Sequence, residues 1–220
     1  KPSAIILKNN NLHVEIIINP SAFSAKSDPA GISDIIVESA ITTICDHEDS
    51  VASVDASDKV KGYKNWLGLM KGDLKAKFEK KGKLLIRKLN PDRKFISKEG
   101  TEKKLRGRAL LLNRNTGHLM TNPSILLKDG SEVPEGILDA VVTSLCGLHD
   151  LNNRRNSIAG SIMIVKPKQH GPEECRFTDK LFGKVEKLLG LNKFTIKCGI
   201  MDEERRTSIN LKECIRALEN

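Results

Sequence analysis

RALLLNRNTGH, residues 108–118, runs from three consecutive leucines directly into asparagine, arginine and threonine. The apolar half is too short for a helix. A short aliphatic run that ends in hydrogen-bonding residues is how a buried parallel strand delivers side chains to a site. Three further segments share the pattern: AITTICDHED from Ala40, SIMIVKPKQHG from Ser161 and FTIKCGIMDEE from Phe194. Amphipathic helices lie between and after them. PEGILDAVVTSLCGLHDL spaces Ile137, Val141, Leu145 and Leu148 along one face, with Pro134 in the first turn. TDKLFGKVEKLLG does the same with Leu181, Val185, Leu188 and Leu189, and Gly190 supplies a left-handed stop. SINLKECIRALE repeats it with Leu211, Cys214, Ile215 and Leu218.

Strand followed by helix, repeated, predicts a parallel sheet. The glycine-rich fingerprint of a nucleotide-binding doubly wound sheet is missing, so the expected fold class is α/β: a partial (β/α)8 TIM barrel with about four of the eight strands. Functional residues then sit just past the carboxyl ends of the strands, where all four segments turn polar.

One segment breaks the rhythm. From Lys71 to Gly107 the chain reads as a charged helical stretch, a strand LLIRKL, a turn at Asn90 and Pro91, and a hairpin around Lys98 to Gly100. This makes an α/β insertion between two barrel strands. HVEIIIN from His13 is a strand that need not belong to the barrel. The expected organisation is the end of another α/β insertion with a lead-in helix over 1–39, barrel over 40–71, the basic insertion over 72–107, and truncated barrel over 108–220.

The formal charge is +9 over 220 residues. It is concentrated: between Lys59 and Arg106 there are 17 Lys or Arg against 5 Asp or Glu. Such a balance raises a nucleic-acid-binding module as a second reading. From Lys71 to Gly107, however, the only aromatic side chains are Phe78 and Phe95, without the interleaved stacking residues of an RNA surface. No apolar run approaches the roughly eighteen residues of a membrane span, and KPSAIILKNN has no signal-peptide character, so a soluble protein is expected. The five cysteines, Cys45, Cys146, Cys175, Cys198 and Cys214, lie far apart without a C-x-x-C pair, which suits reduced thiols in a cytoplasm.

Four stretches carry candidate chemistry. In CDHEDS, Asp46 and Glu48 point to one side of an extended chain and His47 and Asp49 to the other. They could bind a hard cation, or form a solvated loop with Asp49 or Ser50 capping the next helix. Cys45 and His47 have nothing nearby to complete a zinc set. Arg114 should emerge where its strand leaves the core, to hold an oxygen that gains negative charge or a structural ion pair. VKPKQHGPEE, with Lys166, Lys168 and His170, reads as an anion-binding loop or a rigid connection. In GIMDEERRT, Asp202, Glu203 and Glu204 suit a helix N-terminus, but Arg205 and Arg206 oppose the same dipole.

Taken together, CDHEDSVASVDASDKVKGYKNWLGLMKGDL, NRNTGHLMTN, IVKPKQHGPEE and GIMDEERRTSINLK resemble the malate synthase family, specifically its G isoform, in order from about His13 onward. The resemblance implies a Mg2+-dependent condensation of glyoxylate with acetyl-CoA and water to malate and CoA, as in the glyoxylate cycle. It implies a cytoplasmic enzyme, monomeric as a full-length protein, with no specific nucleic acid and no membrane as partner. On that pattern Arg114 matches the catalytic arginine that contacts glyoxylate, and Glu203 a carboxylate ligating Mg2+ beside it, with Glu204 possible by register. Asp46 and Glu48 match acids near the metal, acting through its waters; Ser50 and Arg87 match acetyl-CoA contacts. The family's second Mg2+ carboxylate, in a GFLDRTGDE-like motif, and its catalytic aspartate would fall beyond Asn220. The expectation is therefore an internal fragment, inactive alone.

Overall fold

The structure, a computed structural model, describes residues 2–10, 12–38 and 41–219. Ala40, with which one expected strand opens, lies outside the described residues. The chain divides into two compact units, one up to Ile41 and one from Thr42.

The first unit is an antiparallel meander of β1 (Ala4–Asn9), β2 (Leu12–Ile18) and β3 (Ile32–Val37), in that spatial order. HVEIII thus forms a strand in a sheet of its own. The lead-in helix expected over 1–39 is absent from the described residues of that stretch, where the one helical piece is a 3-10 turn at Phe23–Ala25. Runs of isoleucine and valine favour strand pairing, and Pro20 and Pro29 punctuate the connection.

The second unit begins with β4 (Thr42–Asp46) and α1 (Ala56–Lys71). Asp55 caps α1, accepting from Asp58 N at 3.0 Å, so neither Asp49 nor Ser50 is the cap. Two hairpins follow: β5 (Lys75–Lys80) with β6 (Lys83–Lys88), and β7 (Arg93–Ile96) with β8 (Glu102–Leu105). The expected charged helix is therefore strand β5. Lys81 and Gly82 both take positive φ, 53° and 69°, the geometry of a tight two-residue hairpin turn, and this local turn overrides the helix preference of lysine and glutamate.

After β9 (Leu110–Arg114) comes a hairpin that the sequence reading did not anticipate, β10 (Thr121–Leu126) with β11 (Glu132–Pro134). The alternation of strand and helix then resumes with α2 (Glu135–Leu151), β12 (Ile162–Lys166), α3 (Pro172–Leu188), β13 (Ile196–Ile200), α4 (Arg205–Ser208) and α5 (Leu211–Arg216). Strands β13, β12, β9 and β4 form one wholly parallel sheet in that order. These are the four segments expected as barrel strands, and the sheet is open, a part of a barrel. The GPEE end of the supposed loop belongs to α3, where Pro172 takes the first-turn position that needs no N–H donor.

The main core packs α2 and α3 onto β12 and β13 through Ala140, Ile162, Ile164, Phe182, Val185 and Ile196. A second cluster of Trp66, Met70 and Cys146 joins α1 to α2. The helix faces differ in part from expectation. Ile137 and Leu145 are 37% and 49% exposed, because α2 turns its small residues Ala140, Thr143, Ser144 and Gly147 inward, which lets it lie close to the sheet. Leu188 and Ile215 are likewise exposed, while Leu181, Val185 and Cys214 are buried as expected. Among the described residues no helix is long and apolar enough to cross a membrane.

Candidate active site at the strand ends

The register of the parallel sheet brings the polar exits together. Asp46 at the end of β4 pairs with Arg114 at the end of β9; Val165 pairs with Arg114, and Lys166 with Ile200. Backbone bonds continue past the strands, from His47 N to Arg114 O at 2.9 Å and from Asn115 N to Val165 O at 3.0 Å.

Arg114 lays its guanidinium fork on Asp46, Nε to Oδ1 at 2.7 Å and Nη2 to Oδ2 at 2.6 Å. Asp46 also accepts from the backbone N–H groups of Glu48 and Ser50, each at 2.9 Å. Burial by itself would raise the Asp46 carboxyl; the hydrogen bonds from Arg114 and those amides outweigh it and hold the group far below the usual carboxylate range. The bond to Asp46 in turn holds Arg114 firmly charged. The remaining nitrogen, Nη1, lies 3.9 Å from Glu48 Oε2 and 3.8 Å from Met201 Sδ.

Glu48 is the most confined of the acids after β4, its side chain 10% exposed against 12% for Asp46. Its Oε1 accepts from Gly117 N at 3.2 Å and from Lys168 Nζ at 3.2 Å, while Oε2 is buried without a hydrogen-bond partner. Lys168 also reaches Asp49 Oδ1 at 2.7 Å, and its backbone N–H donates to Glu203 Oε1 at 2.7 Å. Glu204 faces His170 instead, Oε2 to Nδ1 at 3.8 Å. The two glutamates make different contacts: Glu203 accepts from the Lys168 backbone N–H, and Glu204 lines a cleft of about 830 Å3 with Glu48, Gly117, His118, Lys168 and His170.

Arg114, Asp46 and Glu48 are therefore brought to one place, and Glu203 is tied to them through Lys168. Ser50 belongs to the same loop, with its N–H on Asp46. Arg87 is on the β5–β6 hairpin, its guanidinium 4.9 Å above the Phe78 ring, and not in the cluster. Lys166 is not an anion-binding group: it is wholly buried, donating to Thr116 O at 2.6 Å, and desolvation, opposed by the nearby Asp139, lowers its ammonium to about 8. Burial pushes the Cys45 thiol up to about 11, and all five cysteines are free.

Sequence reasoning missed the foundation of the site. Asp139, fully buried, receives Lys59 Nζ and Tyr63 OH on Oδ1, each at 2.6 Å, and Thr116 N at 2.9 Å and Thr116 Oγ1 at 3.0 Å on Oδ2. Lys59 bonds Glu135 as well, at 2.9 Å. These contacts hold the 114–117 turn from below. Gly136 lets α2 approach it: a Cβ there would stand 2.4 Å from Gly117 O and 2.6 Å from Lys166 Nζ. No local signal marks Lys59, because its partners lie 76 and 80 positions away.

The carboxylate oxygens, and a Glu48 Oε2 that is buried without a hydrogen bond and has only the Arg114 ion pair at 3.9 Å, fit a hard cation that is held by one or two carboxylates and keeps several waters. They do not make a closed cage, since no group of three metal-ligating side chains converges among the described residues.

Residues 110–220, half of the chain, match the family model described as "Malate synthase, TIM barrel domain". Among curated proteins, malate synthase G of Corynebacterium glutamicum is 57% identical over 97% of this chain, and that of Corynebacterium efficiens 56% over the same share. Malate synthase G of Halalkalibacterium halodurans is 56% identical, again over 97% of the chain. The chain spans 29–30% of the length of these relatives. With its parallel strands carrying their polar exits to one face, the chain belongs to the malate synthase TIM-barrel domain family.

Proposed function

We propose that this chain is part of a malate synthase that condenses acetyl-CoA with glyoxylate and water to give malate and CoA. The observation that supports this most directly is the Arg114–Asp46 fork beside Glu48: a guanidinium locked in orientation, with Nη1 directed away from its partner, on the face where parallel strands end.

In this reading Asp46 fixes the plane of Arg114, and Nη1 donates to the glyoxylate oxygen and to the thioester oxygen that gains negative charge when the acetyl methyl group loses its proton. The methyl carbon then forms a bond to the glyoxylate aldehyde carbon, and water cleaves the C–S bond to release CoA. Mg2+, when bound, supplies Lewis-acid polarisation and orientation of glyoxylate. Glu203 would hold it, and Asp46 and Glu48 would act on its waters. Ser50 is proposed to contact acetyl-CoA from the β4 loop, and Arg87 to meet its phosphates from the basic hairpin. The aspartate that accepts the methyl proton is assigned by resemblance to sequence outside these residues, so the segment alone is proposed to turn over nothing. The free cysteines suit a reducing cytoplasm, where the whole protein would act as a monomer.

The test is thiol release from acetyl-CoA by the whole protein, followed with and without glyoxylate and Mg2+. Release that requires both supports the proposal. Absence of release under saturating substrates, or release indifferent to glyoxylate, would overturn it.

A further inference from the structure

Lys168 connects three acids that come from two different strand ends. Its side chain holds Glu48 and Asp49 after β4, and its backbone N–H holds Glu203 after β13, while Lys168 itself follows β12. It does so from a left-handed backbone conformation, φ 51°, which a residue with a Cβ adopts only where its surroundings compensate the strain. Those surroundings are the three carboxylates.

We propose that Lys168 is a positioning residue that sets the strength with which this site holds a divalent cation, its ammonium competing for the same carboxylates. The inference rests on the cation reading of the site given above. A cation approaching Glu48 Oε2 meets Arg114 Nη1 at 3.9 Å, which is common to wild type and every Lys168 variant, and a second positive charge, Lys168 Nζ, 3.2 Å from the other oxygen of the same group. Repulsion between a unit charge and a divalent ion at such range weakens binding roughly tenfold once solvent screening is included. The opposite effect, loss of orientation of Glu48 without the lysine, is smaller, because Gly117 N–H remains on Oε1 at 3.2 Å. The Lys168 side chain is 41% exposed against 10% for Glu48, so the lysine can swing outward while the carboxylate stays in place. Charge therefore outweighs orientation.

The experiment is Mn2+ binding to the whole protein, read by electron paramagnetic resonance of the free ion at about 0.05 M and about 0.5 M salt. Lys168→Met should bind Mn2+ roughly three- to tenfold more tightly than wild type at low salt, and the difference should shrink at high salt. Lys168→Arg, which keeps the charge, should stay within about twofold of wild type. Lys168→Gln repeats the comparison if the methionine variant fails to fold. Equal or weaker binding by Lys168→Met, with measurable wild-type binding, overturns the role of Lys168 alone. Absence of Mn2+ binding in wild type and variants overturns the cation reading and this inference with it.

Discussion

Arg114 and Asp46 meet through two parallel hydrogen bonds, 2.7 and 2.6 Å, across neighbouring strands whose Cα atoms are also in register. The carboxylate is itself held by the N–H groups of Glu48 and Ser50. The guanidinium plane is thus set by strand register, by the turn after β4 and by the fork together.

Lysine at position 114 keeps the charge and loses the fork. Arg114→Lys in the whole protein should lower kcat/KM for glyoxylate by about a hundredfold or more, with a stability loss of about 1–2 kcal/mol. Steady-state kinetics together with urea denaturation check both. Near-normal turnover would remove Arg114 from the reaction.

Lys59 is buried at 3% exposure between Glu135 and Asp139. Removing one partner of a buried ionic cluster leaves uncompensated charge, so Lys59→Met should cost about 3–5 kcal/mol. The triple variant that also carries Glu135→Gln and Asp139→Asn should recover much of that loss. Equal destabilisation of single and triple variants, measured by chemical denaturation, would argue against the cluster as a unit.

Gly136 faces the Gly117 carbonyl at a separation that leaves no room for a methyl group. Gly136→Ala should destabilise by about 1–3 kcal/mol through overpacking. It should also displace Gly117, whose N–H holds Glu48, and so weaken divalent-cation binding although residue 136 is not a proposed ligand. A variant with unchanged Mn2+ affinity would show that the turn absorbs the methyl without moving Glu48.

His118 packs edge-on to Phe177 and bonds Thr178 Oγ1 at 2.8 Å. Desolvation, helped by Lys166 and opposed by Glu174, lowers its imidazolium from 6.5 to about 4. The folded state gives up this proton first. Between about pH 6.5 and about pH 4 the unfolded chain therefore binds more protons, and stability falls as the medium is acidified through that window. Allowing for partial solvent exposure, the contribution is about 1–2 kcal/mol. The loss in denaturation midpoint between neutral and pH 4.5 buffer should be smaller in His118→Gln than in wild type. Identical losses would exclude His118 as the source.

The strand ends are legible because LLLNR, IMIVK and CGIMDEE change abruptly from apolar to polar where a buried strand emerges. The acids and Arg114 could be read from the same transition. Their support could not, because Asp139 and Lys59 sit in helices whose patterns look ordinary, and only the fold brings them under Thr116. KAKFEK reads as helix because most of its residues favour helices, while the turn at Lys81 and Gly82 decides its conformation. The β10–β11 hairpin carried an Asp129–Gly130 turn signal that the strand-and-helix rhythm masked.

The two basic hairpins are each only two strands wide, so every strand in them has one side without a backbone partner in its sheet. Such ribbons invite another chain to add itself. Lysines at positions 75, 77, 80, 81, 83 and 88 set like charges along the first ribbon, so a second molecule brought alongside is repelled before its backbone can dock. Much of the positive charge in this segment thus has a reason that requires no ligand: it keeps exposed edges solitary at the concentrations of a crowded cell.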